Sequence, residues 1–172
     1  FSPSTVDTFI DRYLEKEIFH LQRNDPSLVK GIFDLDSMGA CLRYAQPART
    51  NSIRVIPNGE GPEETAYYQQ QAKMWQDSES AMESAFVQAF ADKKTLVFVQ
   101  SELFWEPVRR IVQSVRQALQ TDVKCNIYCT PPMAQGSGTH VDSHDVLVLQ
   151  AQGTKTWRMH EVKDLLPLDY SE

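Results

Sequence analysis

No apolar run in this 172-residue chain approaches the roughly 18 residues that a membrane span requires. The opening residues show no signal-peptide pattern. Positive charge is scarce: 17 Lys and Arg stand against 23 Asp and Glu, a net charge of −6. Broad electrostatic binding to nucleic acid is therefore disfavoured, and a basic partner would be welcome. Cysteine is scarce too. Three residues, Cys41, Cys125 and Cys129, are an odd number in no disulfide-framework spacing. Cys125 and Cys129 form a C-x3-C pair, but a zinc site would need further thiolates. Free thiols in a cytoplasmic or other reducing intracellular compartment are the better reading. Repeats, low-complexity segments and long linkers are absent.

What is present is ordinary for a soluble globular protein: 41% apolar and 23% charged residues. The length fits one domain, 1–172, with a real core. The chain opens on Phe1 and stops on a charged Asp169-Tyr170-Ser171-Glu172. Both ends read as cut, so the sequence is expected to be the front part of a longer protein.

Helices are expected first. Val6 to Glu17 carries an i, i+3, i+4, i+7 apolar stripe through Val6, Phe9, Ile10, Tyr13 and Leu14. Ile18 to Gln22 reads as a short strand, with His20 structural. Asp25 is placed to cap a turn or short helix whose first residue is Pro26. Asp34 to Tyr44 reads as a helix weakened by Gly39, and Ser52 to Pro57 as an alternating strand ended by Pro57-Asn58-Gly59. Gly59 to Glu64 reads as a polar loop and Tyr67 to Trp75 as a helix. The aromatics of that helix read as partial core, because a base-stacking surface would want interleaved basic residues. Ser78 to Asp92 is a helix, Thr95 to Gln100 a buried strand, and Ser101 to Gln120 the clearest amphipathic helix, with Pro107 either kinking it or marking its start. Strands then take over: Asp122 to Thr130, Asp145 to Ala151, and Lys155 to Met159 after a turn at Gly153. The helical portion is thus 1–121 and the sheet portion 122–172. Late strands joined by short turns suggest an antiparallel sheet or barrel with helices packed outside it.

The chemistry concentrates between Asn126 and Trp157. In an extended segment His140 and Asp142 point to one face about 6.6 Å apart at Cα. An imidazole and a carboxylate so placed can converge on one metal. A mixed N/O pair suits a non-heme iron site of the two-His-one-carboxylate type, which needs one more histidine. Alone the pair is weak, since chance supplies one in about one chain in five at such composition. His144 offers a rival, H-x-D-x-H, but His140 and His144 would lie about 13 Å apart if extended. On the preceding strand, Asn126 and Tyr128 share a polar face, and Cys125, Ile127 and Cys129 an apolar one. Lys155 and Trp157 share a face of the last strand. A lysine aimed into a pocket needs an anion there, while a solvent-facing lysine is the plain alternative.

Three stretches, N-x-Y-x-T-P-P from Asn126, Q-G-x-x-x-H-x-D-x-x-D-V-x-V-L-Q from Gln135 and G-x-K-x-W-R from Gly153, resemble the JmjC-type cupin oxygenases. Within that family the chain is most similar to the branch that hydroxylates ribosomal proteins. The resemblance implies a mostly β fold: a double-stranded β-helix of the cupin or jelly-roll kind, with N-terminal helices packed on the barrel and the barrel cut short at the C-terminus. It implies Fe(II), with 2-oxoglutarate as cosubstrate and O2. His140 and Asp142 would be metal ligands and Lys155 the partner of the distal 2-oxoglutarate carboxylate. Asn126 and Tyr128 would line the cosubstrate pocket. Ser137 would stand where many relatives have a threonine that bonds the same carboxylate. The second histidine ligand of the family lies several strands further on, and His160, five residues past Lys155, points the wrong way to replace it.

The leading expectation is a 2-oxoglutarate-dependent dioxygenase that hydroxylates a protein or peptide side chain, with a basic ribosomal protein as first guess. The alternatives are a non-catalytic cupin-like scaffold lacking a complete metal triad, and a lysine demethylase. No direct nucleic-acid binding and no membrane attachment is expected. A homodimer formed through parts outside this sequence is compatible with the resemblance.

Overall fold

A computed structural model describes residues 5–48, 52–59 and 79–160. The expected helix at Tyr67 to Trp75 and most of the loop at Gly59 to Glu64 lie outside those residues. The first helix, α1 (Val6–Arg12), starts where Thr5 turns extended and its hydroxyl accepts the Thr8 N–H at 3.1 Å. Asp7 in the first turn and Arg12 in the last complement the helix dipole. The helix stops earlier than its apolar stripe suggests, and Glu15 adopts a left-handed φ of 57°. The chain then folds back so that Phe19 packs against Phe9 and Tyr13, with ring centroids 5.6 and 4.6 Å apart. That aromatic cluster replaces the strand expected at Ile18 to Gln22: Phe19 is consumed locally and Ile18 stays exposed.

Asp25 caps a 3-10 turn, Pro26–Leu28, by accepting from the Ser27 N–H at 3.0 Å, as its position before Pro26 predicts. Asp34 does the same for Ser37, at 2.8 Å, and the hydrogen bonds hold both carboxyls below the usual range. Because Asp34 holds a turn of its own, the second helix, α2 (Met38–Ala48), begins later than expected. Cys41, Leu42 and Ala45 on it are fully buried.

Three strands make one antiparallel sheet: β1 (Ile53–Ile56), β2 (Thr95–Phe98) and β3 (Ile127–Cys129), with β2 central. Ile53 pairs with Phe98 and Val55 with Leu96, and Leu96 and Phe98 pair in turn with Cys129 and Ile127. Those residues therefore share one face. The core forms there against α2 and α3 (Glu79–Ala91), which contributes Phe86 and Ala89. Burial pushes the Cys41 and Cys129 thiols up to about 12. All three cysteines are free.

The expected long helix from Ser101 to Gln120 is divided. A 3-10 turn, Ser101–Leu103, is followed by α4 (Glu106–Leu119), with Pro107 in the first helical turn. Proline there forfeits no helical hydrogen bond, so it starts the helix instead of kinking it. Trp105 just before it donates its indole N–H to the Ile32 carbonyl at 2.7 Å. Val108 and Val112 bury the predicted stripe, and Glu106 pairs with Arg109 and Arg110 at 3.1 and 3.0 Å.

The barrel is not seen among the described residues. The strand expected from Asp122 to Thr130 shrinks to Ile127–Cys129, and Asp145 to Ala151 and Lys155 to Met159 carry no strand ladder. Alternation becomes a strand only where a neighbour takes up the backbone N–H and C=O groups. Here Val146, Leu147, Val148 and Leu149 are 52 to 56% exposed, so neither parity of the pattern has been buried. Gly153 does turn, at a left-handed φ of 69°. No described helix is long and apolar enough to cross a membrane.

Candidate active site

Tyr128 projects from the sheet face opposite the one that packs on α2 and α3. β3 alternates as its sequence predicts: Cys129 is buried and Ile127 packs on the core, while Asn126 and Tyr128 face outward. Where the β2–β3 ladder ends, side chains take over the pairing. The Ser101 N–H and hydroxyl both donate to the Cys125 carbonyl, at 2.8 and 2.9 Å. The buried Glu102 carboxylate accepts the Cys125 N–H at 3.0 Å. Desolvation pushes the Cys125 thiol up, and the nearby Glu102 charge adds to it. Gln100, at a left-handed φ of 50°, donates its N–H to the Asn126 side-chain oxygen at 3.0 Å. That bond fixes the amide, so its NH2 edge is the one turned away from Gln100.

Lys155 reaches this face from the far end of the chain. Its Nζ lies 5.9 Å from the Tyr128 ring centroid and 4.7 Å from that of Trp157. Both separations are within cation–π range, and the residue as a whole is exposed to solvent. Partial burial lowers its pKa. Gly136 forms the third side: a Cβ there would sit 3.5 Å from Nζ.

His140 and Asp142 form a second cluster. The His140 Nδ1 is 2.7 Å from the Gly138 carbonyl oxygen. A carbonyl can only accept, so Nδ1 is the donor in this bond. The ring Nε2 is 3.8 Å from Asp142 Oδ2, beyond hydrogen-bond reach. A histidine nitrogen and a carboxylate oxygen are the donor types that a mixed N/O set for iron uses. Among the described residues no three His, Cys, Asp or Glu side chains gather to hold a metal, so His144 does not join the pair. His144 and His160 are both exposed.

The two clusters are joined through three residues. Gly136 lies against the Lys155 ammonium, Gly138 holds the His140 ring, and the exposed Ser137 stands between them. Two peptide steps span at most about 7 Å, so the lysine and the histidine are anchored on neighbouring points of one strip of backbone. Sequence reasoning missed the other anchor of that strip. Asn58 Oδ1 accepts the Gln135 N–H at 2.6 Å, and the Gly59 N–H donates to the Gly136 carbonyl at 3.2 Å. The Asn-Gly pair was legible as a turn, but nothing in a single sequence links it to Gln135.

A JmjC domain model matches residues 99–171. The chain is 27% identical to the bifunctional lysine-specific demethylase and histidyl-hydroxylase NO66 of Dictyostelium discoideum, over 99% of the chain and 32% of the relative. It is 27% identical to ribosomal oxygenase 2 of Mus musculus, over 99% of the chain and 35% of the relative. With ribosomal oxygenase 1 of Rattus norvegicus the identity is 23%, over 95% of the chain and 26% of the relative. The chain thus spans about a third or less of the length of these curated relatives. No solved structure matches it.

Proposed function

Because the chain is related to the JmjC-domain oxygenases, on the side of the ribosomal oxygenases, we propose that it carries the front wall of an Fe(II)- and 2-oxoglutarate-dependent hydroxylase site acting on a protein side chain. The observation that carries this reading is the facing pair of Nε2 and Oδ2 at 3.8 Å, reached by one strip of backbone that also contacts the Lys155 ammonium. His140 and Asp142 would hold Fe(II), and a third protein ligand would come from outside the described residues. When bound, the iron and 2-oxoglutarate together use O2 to place one oxygen atom in a C–H bond while the cosubstrate leaves as succinate and CO2.

The roles of the chain are to bind and orient. Lys155 pairs with the distal carboxylate of 2-oxoglutarate, a charge-assisted contact strengthened by its partial desolvation. Tyr128 and Trp157 would flank that pair, and the Asn126 NH2 and the Ser137 hydroxyl would be further donors to the same cosubstrate. Gly138 holds His140 in the tautomer that leaves Nε2 for the metal, the usual outer-shell arrangement for a ligating histidine. The net charge of −6 favours a basic target such as a ribosomal protein. Free cysteines fit a reducing intracellular setting.

Oxidation of an N-methyl group of lysine is the same chemistry at a different carbon. The printed name of the Dictyostelium relative supports it as a second reading. Metal content tests the core of the proposal. Full-length protein should bind one Fe(II) or Mn(II) per chain. His140→Ala should lose the metal with little change in stability, since the exposed imidazole contributes little to packing. Wild-type protein that binds neither metal, with His140→Ala changing nothing, would instead favour a scaffold that keeps the fold without the iron.

A further inference from the structure

We infer that Asn58 is a positioning residue for the cosubstrate and metal clusters, acting through the backbone strip Gln135–Gly138; the inference rests on the function proposed above. The turn after β1 meets this strip at two points, Asn58 Oδ1 on the Gln135 N–H at 2.6 Å and the Gly59 N–H on the Gly136 carbonyl at 3.2 Å. These partners are 77 residues apart for the side-chain bond, so the clamp ties the early sheet to the late segment. Gly59 is favoured by its φ of +75°, and a Cβ there would be in ordinary contact with the Gln135 side chain at 3.4 Å. The Gln135 side chain therefore lies beside the turn.

What the clamp holds is the strip that both clusters lean on. Gly136 is the residue against the Lys155 Nζ, and two residues on, Gly138 orients the His140 ring. Ser137 is exposed, and the strip carries no strand ladder. Its position therefore depends on the two hydrogen bonds from the Asn58-Gly59 turn. Asn58 is itself exposed on a turn, touching neither cluster, so it acts through Gln135 and not on the reacting atoms. Releasing it should let the Gly136 wall move away from Lys155 and widen the space in which the distal carboxylate is held.

The test uses full-length protein and two variants. Asn58→Leu keeps the size but removes the acceptor, and Asn58→Asp keeps an oxygen acceptor in the same place. Hydrogen–deuterium exchange of the Gln135 and Gly59 amides, the two donors of the clamp, and the KM and kcat for 2-oxoglutarate are measured in each. The expected result for Asn58→Leu is exchange on the order of fivefold faster at those amides, and KM raised on the order of fivefold with kcat changed less, the size of one hydrogen bond. Asn58→Asp should restore both. Unchanged exchange in Asn58→Leu, or a KM unaffected despite faster exchange, or no rescue by Asn58→Asp, would overturn the inference. If wild-type protein consumes no 2-oxoglutarate, the proposed function fails on its own, and amide exchange and its rescue then decide for or against the clamp.

Discussion

An ammonium beside aromatic rings gives up part of its hydration, and Lys155, although exposed, lies near the rings of Tyr128 and Trp157. The lowered pKa is the result, and it sets a pH dependence. Pairing with a carboxylate needs the protonated form. Below the folded-state pKa the lysine is charged and the pair forms; above it the charge and the pair are lost. Because burial depresses that pKa, affinity for 2-oxoglutarate should begin to fall at a lower pH than an ordinary lysine would set. The bound carboxylate pulls the other way and raises the pKa in the complex. KM for 2-oxoglutarate should therefore rise on the alkaline side. Lys155→Met should raise it on the order of ten- to a hundredfold at neutral pH and flatten the alkaline rise. A Lys155→Met profile that still climbed like the wild type would assign the dependence to another group. At this scale the sequence was informative where alternation decided the matter. Asn126 and Tyr128 face out and Cys129 in, as period two requires. It was silent on what orients each group, because Gly138 on His140 and Gln100 on Asn126 are contacts of backbone atoms that every residue possesses.

At the scale of elements, β2 is the member on which the rest depends. All four of its residues are buried and both its edges are paired. Phe98 is fully buried, pairs across to Ile53 and Ile127, and meets the Phe33 ring at 5.9 Å. Phe98→Ala should destabilise the protein by about 3–5 kcal/mol in urea unfolding, the range for emptying a well-packed aromatic site. A loss under about 1 kcal/mol would mean that the helices collapse into the space. The Thr95–Phe98 strand and the Glu106–Leu119 helix were readable because a continuous apolar run and a 3.6-residue stripe are local signals. The failures are equally physical. Ile18 to Gln22 has a strand-like composition, but Phe19 found a nearer partner in Phe9 and Tyr13. Asp145 to Ala151 alternates correctly and has no ladder, because pairing is a property of two segments and a pattern describes only one.

Among the described residues, a three-stranded sheet packs on α2 and α3 with one face, and Lys155 meets Tyr128 on the other, linked through Gly136 and Gly138 to His140. The proposed function couples a metal-centred oxidation at His140 and Asp142 to a basic protein target, which the net charge of −6 would favour. The most direct test is turnover by full-length protein supplied with Fe(II), 2-oxoglutarate, O2 and candidate ribosomal-protein peptides. Succinate should form in step with peptide that has gained one oxygen atom, and both should vanish in His140→Ala and Asp142→Ala. Succinate and oxidised peptide formed at wild-type rates by those variants, or no turnover by the metal-loaded wild type on any substrate, would contradict the account.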